Sequence, residues 1–119
     1  MKTMTDQNAV RSFAALAQET RLALYRRLVE AGPAGLSAGA LADALDVPAP
    51  TLSFHLAQLR GAGLITQRRD SRSLIYAVDV ALMNTLIGFL SDRCCGGQPD
   101  LCLPTPKSAS HARPRRKAV

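Results

Sequence analysis

A mainly α-helical fold with one β-hairpin is what this sequence predicts. Three observations carry that expectation: short stretches before Leu64 with apolar residues at helical spacing, two β-rich runs (LITQRR and SLIYAV) around a polar turn, and a strongly apolar helix, VALMNTLIGFLSDR, after them. A chain of 119 residues that is 47% apolar but has no Trp can bury one modest core. One folded domain over residues 1–102 is therefore expected, followed by a disordered basic tail over 103–119.

The elements follow in order. Asp6 is placed to cap a first helix with Val10, Phe13, Leu16 and Ala17 at helical spacing, and Thr20 precedes a second with Leu22, Tyr25, Leu28 and Val29 inward. Gly32-Pro33 stops the second helix. Ser37 is a good N-cap for a short third helix with Leu41, Ala42 and Leu45 on one face. Pro48 and Pro50 are tolerated in a turn and a first helical turn but not deeper, so the fourth helix starts near Ala49. Its Leu52, Leu56 and Leu59 form a narrow buried stripe with His55 at the flank, while Thr51, Ser53, Phe54 and Gln58 lie on or beside the other faces. Two short helices joined by a tight turn, the second with small hydrogen-bonding residues outward, suit insertion into the DNA major groove.

Gly61 and Gly63 end the fourth helix, and the hairpin folds around Asp70-Ser71-Arg72. Its tip gathers Arg68, Arg69 and Arg72 against one acid, Asp70, which suits a clamp on phosphates beside the groove. Asp79 is placed to cap the last helix. Val80, Met83, Leu86, Ile87 and Leu90 make one face of it, extended by Leu82 and Phe89, so it is too apolar for the surface of a small monomer. Packing against its counterpart and against the first helix of a second chain would cover it, with Phe13, Met83, Leu86, Ile87 and Leu90 at the interface, and would create the two-fold symmetry of palindromic operators. The fold class is thus a dimeric winged helix-turn-helix.

Net charge is +6, yet Lys107, Arg113, Arg115, Arg116 and Lys117 in the tail account for five of these charges, leaving residues 1–102 with ten bases and nine acids. No apolar run approaches the roughly 18 residues of a transmembrane helix, and MKTMTDQNAV lacks a hydrophobic signal region, so a cytoplasmic protein without a membrane partner is expected. No nucleophile–base constellation or phosphate loop is present, which argues against an enzyme.

Three segments, FAALAQETRLALYRRL, LADALDVPAPTLSFHLAQLRGAGLI and RRDSRSLIYAV, resemble the ArsR/SmtB family of winged-helix, metal- and metalloid-responsive repressors over about residues 8–93. The resemblance implies a homodimer joined through its first and last helices, bound to double-stranded operator DNA without inducer and released on metal binding. It also implies DNA contacts at Thr51, Ser53, Phe54 and His55. Two departures matter. The third helix, SAGALADALD, has no cysteine where arsenic repressors of the family carry a Cys-x-Cys cluster, and the last helix has Asp79 but no His for a zinc-type site.

Every cysteine lies in DRCCGGQPDLC. An odd count in a reducing compartment argues for thiols that bind or react rather than for a disulfide framework. Adjacent Cα atoms are ~3.8 Å apart, below the usual ~4.4–6.8 Å of a disulfide, so Cys94 and Cys95 are ill suited to bond each other. Gly96, Gly97 and Pro99 let the chain bring Cys102 back to complete a three-sulfur pocket. Trivalent arsenic or antimony takes three sulfurs in a pyramid, whereas structural zinc takes a fourth ligand, for which His111 in the tail is the candidate. The expected function is a repressor released by arsenite, or antimonite, at Cys94, Cys95 and Cys102, with no permanent cofactor. A thiol redox or persulfide sensor and, further off, a thiol-based metal carrier are the alternatives.

Overall fold

Capping side chains set most of the helix boundaries. The computed structural model describes residues 4–97 and divides into two units, Met1–Leu86 and Ile87–Val119. The boundary expected after Cys102 lies outside the described residues. Helix α1 (Asp6–Leu16) is capped by Thr5, whose Oγ1 accepts from the Asn8 amide at 3.1 Å, and Asp6 sits one residue inside, where its charge complements the helix dipole. Helix α2 (Glu19–Ala31) is capped by Gln18, whose Oε1 accepts from the Arg21 amide at 2.8 Å, so it starts before the expected Thr20. A 3-10 turn, Gly32–Ala34, and a two-residue strand β1 (Leu36–Ser37) follow.

Helix α3 (Ala38–Leu45) has Ser37 as its N-cap, as expected, and ends at Asp46 in a left-handed conformation (φ 55°). Three residues later helix α4 (Ala49–Gly61) begins, with Pro50 inside its first turn. Strands β2 (Ile65–Asp70) and β3 (Ser73–Val78) form the hairpin in the register Ile65↔Val78 to Asp70↔Ser73, leaving a two-residue turn at Ser71-Arg72. Ser71 adopts φ 59°, as the first position of a tight primed turn requires. Strand β1, which sequence periodicity did not reveal, pairs with the other edge of β3 in the order β1-β3-β2. Gly35 makes this possible: a Cβ there would collide with the Tyr76 carbonyl, and its φ 69°, ψ −171° is a region open essentially to glycine. Asp79 caps helix α5 (Val80–Leu90) as expected, its Oδ1 accepting from the Leu82 amide at 3.0 Å.

The core of the first unit is a cluster of leucines, with Leu24, Leu28, Leu41, Leu52, Leu59 and Leu64 fully buried. Two helical faces differ from expectation. Helix α1 turns its small residues Ala9, Ser12 and Ala15 inward and leaves Val10 66% exposed, because a helix that packs closely against its neighbours needs short side chains at the contact. In α2 the buried face is Leu24, Tyr25 and Leu28, and Leu22 and Val29 are exposed.

Candidate nucleic-acid interface and thiol turn

Helices α3 and α4 with the intervening Asp46, Val47 and Pro48 form a helix-turn-helix, tied by the Val47 amide donating to the Ala42 carbonyl at 3.1 Å. Thr51, Ser53, Phe54 and Gln58 are all exposed on α4. Helix α4 carries no acid, and Arg60 is exposed in its last turn.

His55 stands apart from the other expected groove side chains because it is buried. It is only 8% exposed and completes the i, i+3, i+4, i+7 stripe Leu52, His55, Leu56, Leu59. Its Nδ1 lies 3.3 Å from Nη1 of Arg21, a residue the sequence did not single out. Arg21 Nε in turn donates to the Ala15 carbonyl at 2.6 Å, so one guanidinium braces the end of α1 against α4. A guanidinium can only donate, which makes Nδ1 the acceptor and puts the neutral ring's proton on Nε2. Burial, and secondarily the neighbouring Arg21 charge, holds the imidazole pKa below its ordinary value of 6.5. In this position His55 supports α4 from within.

On the hairpin, Arg68, Arg69 and Arg72 are exposed, with Arg72 at the turn. Arg68 also braces the wing from behind. Its Nη2 donates to the Ala34 carbonyl at 2.8 Å and its Nη1 to that of Pro33 at 3.4 Å, tying β2 to the 3-10 turn. Arg69 and Arg72 make no such contact among the described hydrogen bonds.

The residues expected at a dimer interface separate in the same way. Leu86 is 5% exposed and belongs to the first unit's own core, unlike the other residues expected at the interface. Phe13 and Met83 are half-buried, and Val10 and Val80 are at least half exposed. Between α1 and the start of α5 runs a groove of about 740 Å³, lined in part by Asn8, Arg11, Ser12, Leu82 and Thr85. In the second unit Ile87 is 47% and Leu90 66% exposed.

After α5 the chain coils tightly. The Cys94 amide donates to the Ser91 carbonyl at 2.9 Å and that of Gly97 to the Arg93 carbonyl at 3.1 Å. Arg93, Cys95, Gly96 and Gly97 all have positive φ (59°, 54°, 67° and 94°), which is uncommon for residues other than glycine. Cys94 is half-buried and Cys95 exposed on this Cys94–Gly97 turn. Cys102 and His111 lie outside the described residues. Asp79 serves as a helix cap, and among the described residues no three His, Cys, Asp or Glu side chains gather into a metal site.

A helix-turn-helix followed by a basic two-stranded hairpin defines a winged-helix DNA-binding protein. A helix-turn-helix domain model matches residues 16–68. The transcriptional regulator YceK of Bacillus subtilis is 36% identical over 91 residues, covering 76% of this chain and 90% of YceK. Among solved structures, an ArsR-like transcriptional regulator from Rhodococcus sp. RHA1 superposes with a TM-score of 0.61 at 28% identity, covering 81% of this chain and 93% of that one. The homodimeric winged helix-turn-helix DNA-binding domain of Mb0332 from Mycobacterium bovis does so with a TM-score of 0.58 at 25% identity, covering 78% and 92%. This chain belongs to the ArsR family of DNA-binding transcriptional regulators, and it is not an enzyme. Among the described residues no helix is long and apolar enough to cross a membrane.

Proposed function

We propose that this chain is a cytoplasmic, homodimeric repressor that leaves its operator when trivalent arsenic, or antimony, binds Cys94, Cys95 and Cys102. The observation that carries the reading is the coil at Cys94–Gly97: two adjacent thiols follow the end of α5 by four and five residues, in a backbone with left-handed residues at Arg93, Cys95, Gly96 and Gly97. A ligand held there pulls on the helix itself. Binding replaces three As–O bonds of arsenous acid by three As–S bonds, each thiol giving up its proton and each hydroxyl leaving as water, with no change of oxidation state. A three-thiolate site needs Cys102, since the described residues contribute two thiols.

The exposed apolar side chains support dimerisation. Val10 and Val80 in the first unit, and Ile87 and Leu90 in the second, are large apolar groups left in water by the single chain, and the Mycobacterium bovis relative is homodimeric. In a dimer of this kind α5 sets the separation of the two α4 helices, which must match successive major grooves. Release requires the ligand to bind the DNA-incompetent form more tightly, and typical couplings are about 1–3 kcal/mol.

Titration of a protein–DNA complex with arsenite, antimonite, zinc and an oxidant, followed by fluorescence anisotropy, tests this. Arsenite is expected to release the wild type, and Cys94→Ser, Cys95→Ser or Cys102→Ser to retain DNA binding while losing most of that response. A Cys102→Ser protein that dissociates at the wild-type arsenite concentration refutes the three-sulfur site. Release by oxidant or persulfide alone replaces it with thiol redox sensing.

A further inference from the structure

Phe54 is the one large apolar side chain that α4 leaves in water, at 57% exposure. The buried side chains Leu52, His55, Leu56 and Leu59 centre on one direction, and at about 100° per residue Phe54 lies within about 30° of its opposite. It therefore stands near the middle of the exposed face rather than at the margin of the core. Pro50, Ala57 and Gly61, on the same side of the helix, are short, so Phe54 projects beyond its surroundings. Its ring meets the buried His55 ring edge-on, with centroids 5.5 Å apart and planes at 64°.

An apolar tip at the centre of this face, flanked by Thr51 and Gln58 on one side and by Ser53 and Arg60 on the other, has a specific complement in duplex DNA. Every major-groove base edge presents hydrogen-bonding groups, and thymine alone adds an apolar one, its C5 methyl. The arginines at positions 60, 69 and 72 and the absence of acids on α4 favour a phosphate-bearing partner over an apolar protein surface. We infer that Phe54 is a specificity-determining residue that reads a thymine C5 methyl in each operator half-site. This rests on α4 being the groove-reading helix, and it names the base feature that helix selects.

The test uses a duplex selected by the purified full chain from a random-sequence pool, with each thymine replaced in turn by deoxyuridine. That change deletes the methyl and leaves every hydrogen-bonding group and the base pairing intact. One thymine position per half-site is expected to lose roughly four-fold in affinity on replacement, the worth of one buried methyl group. Phe54→Ala is expected to weaken binding to the thymine duplex and to become indifferent to deoxyuridine at that position, so the two losses do not add. Phe54→Leu, which keeps an apolar tip, should restore part of the discrimination. Wild-type protein that binds the selected duplex but is indifferent to deoxyuridine everywhere overturns the inference and leaves groove reading by α4 standing. Additive losses, or sedimentation showing that Phe54→Ala changes the oligomeric state, also overturn it. Failure to select any duplex overturns groove reading itself.

Discussion

Replacing Arg21 with Met is expected to destabilise this protein far more than an ordinary change at a half-exposed site. Met keeps most of the stem volume and removes the guanidinium. The Ala15 carbonyl then loses a charged donor at 2.6 Å, and His55 Nδ1, on a ring 8% exposed, loses its donor at 3.3 Å. A hydrogen bond to a charged group contributes about 1.5–3 kcal/mol, and a stranded buried acceptor costs about 1–3 kcal/mol. The second contact is long and the site part-buried, so the low ends apply, giving about 2.5 kcal/mol in total. For a folded region of this size that is a fall in Tm of about 10 °C or more.

The same pair makes stability depend on pH. The folded chain holds the His55 pKa below 6.5, so as pH falls the unfolded chain takes up the proton first. The stability is complete above the unfolded value and is lost as pH drops from about 6.5 toward the lower folded value. His55→Asn puts a neutral amide oxygen near the position of Nδ1, so it should keep the Arg21 contact, flatten this acid limb, and leave DNA sequence preference unchanged. Urea unfolding from pH 5 to 8 measures the stability changes, and binding to the selected duplex measures the preference. An Arg21→Met protein within about 0.5 kcal/mol of wild type, or a His55→Asn protein with the full acid limb, refutes the proposed brace.

Other substitutions separate the roles assigned above. Gly35→Ala should cost at least about 2 kcal/mol, combining a glycine-only backbone region with a collision at the Tyr76 carbonyl, whereas Gly32→Ala has a similar φ but open space and should cost less in the same melts. Leu86→Glu buries an unpaired charge in the first unit and should unfold the chain by circular dichroism, while Leu90→Glu should dissociate the dimer with helicity retained; an undisturbed Leu90→Glu dimer in sedimentation moves the interface elsewhere. Arg72→Ala should weaken binding to all DNA sequences and lower the salt slope by about one per wing. Arg68→Ala should in addition lose about 1 kcal/mol of stability, because its guanidinium holds the Ala34 and Pro33 carbonyls.

Local chemistry was legible wherever one residue type has one physical use. Ser37 and Asp79 cap the helices they precede, Pro48 and Pro50 start α4 where a missing amide costs nothing, and Leu52, Leu56 and Leu59 face inward. The hairpin was legible too, because two β-rich runs around a short polar turn have few other ways to pair. Periodicity identified a helix in α1 but not which side of it is buried, since Ala9, Ser12 and Ala15 compete with Val10 and Phe13 for that place. Packing distance decides in favour of the small residues, and the larger ones are left for a partner. The place of His55 differs from expectation for a related reason. Its spacing within Leu52, Leu56 and Leu59 already marked a core position, but a polar ring is stable there only with a partner, and Arg21 is 34 residues away in the chain. Strand β1, the Arg68 tie and the burial of Leu86 likewise depend on contacts between distant segments. Sequence alone thus determined that the five helices and the hairpin form, and where α3, α4 and α5 begin, because capping, proline and periodicity act within a few residues. Tertiary structure decided which face of each element is buried and which polar groups are braced rather than exposed, because burial is a property of what packs opposite.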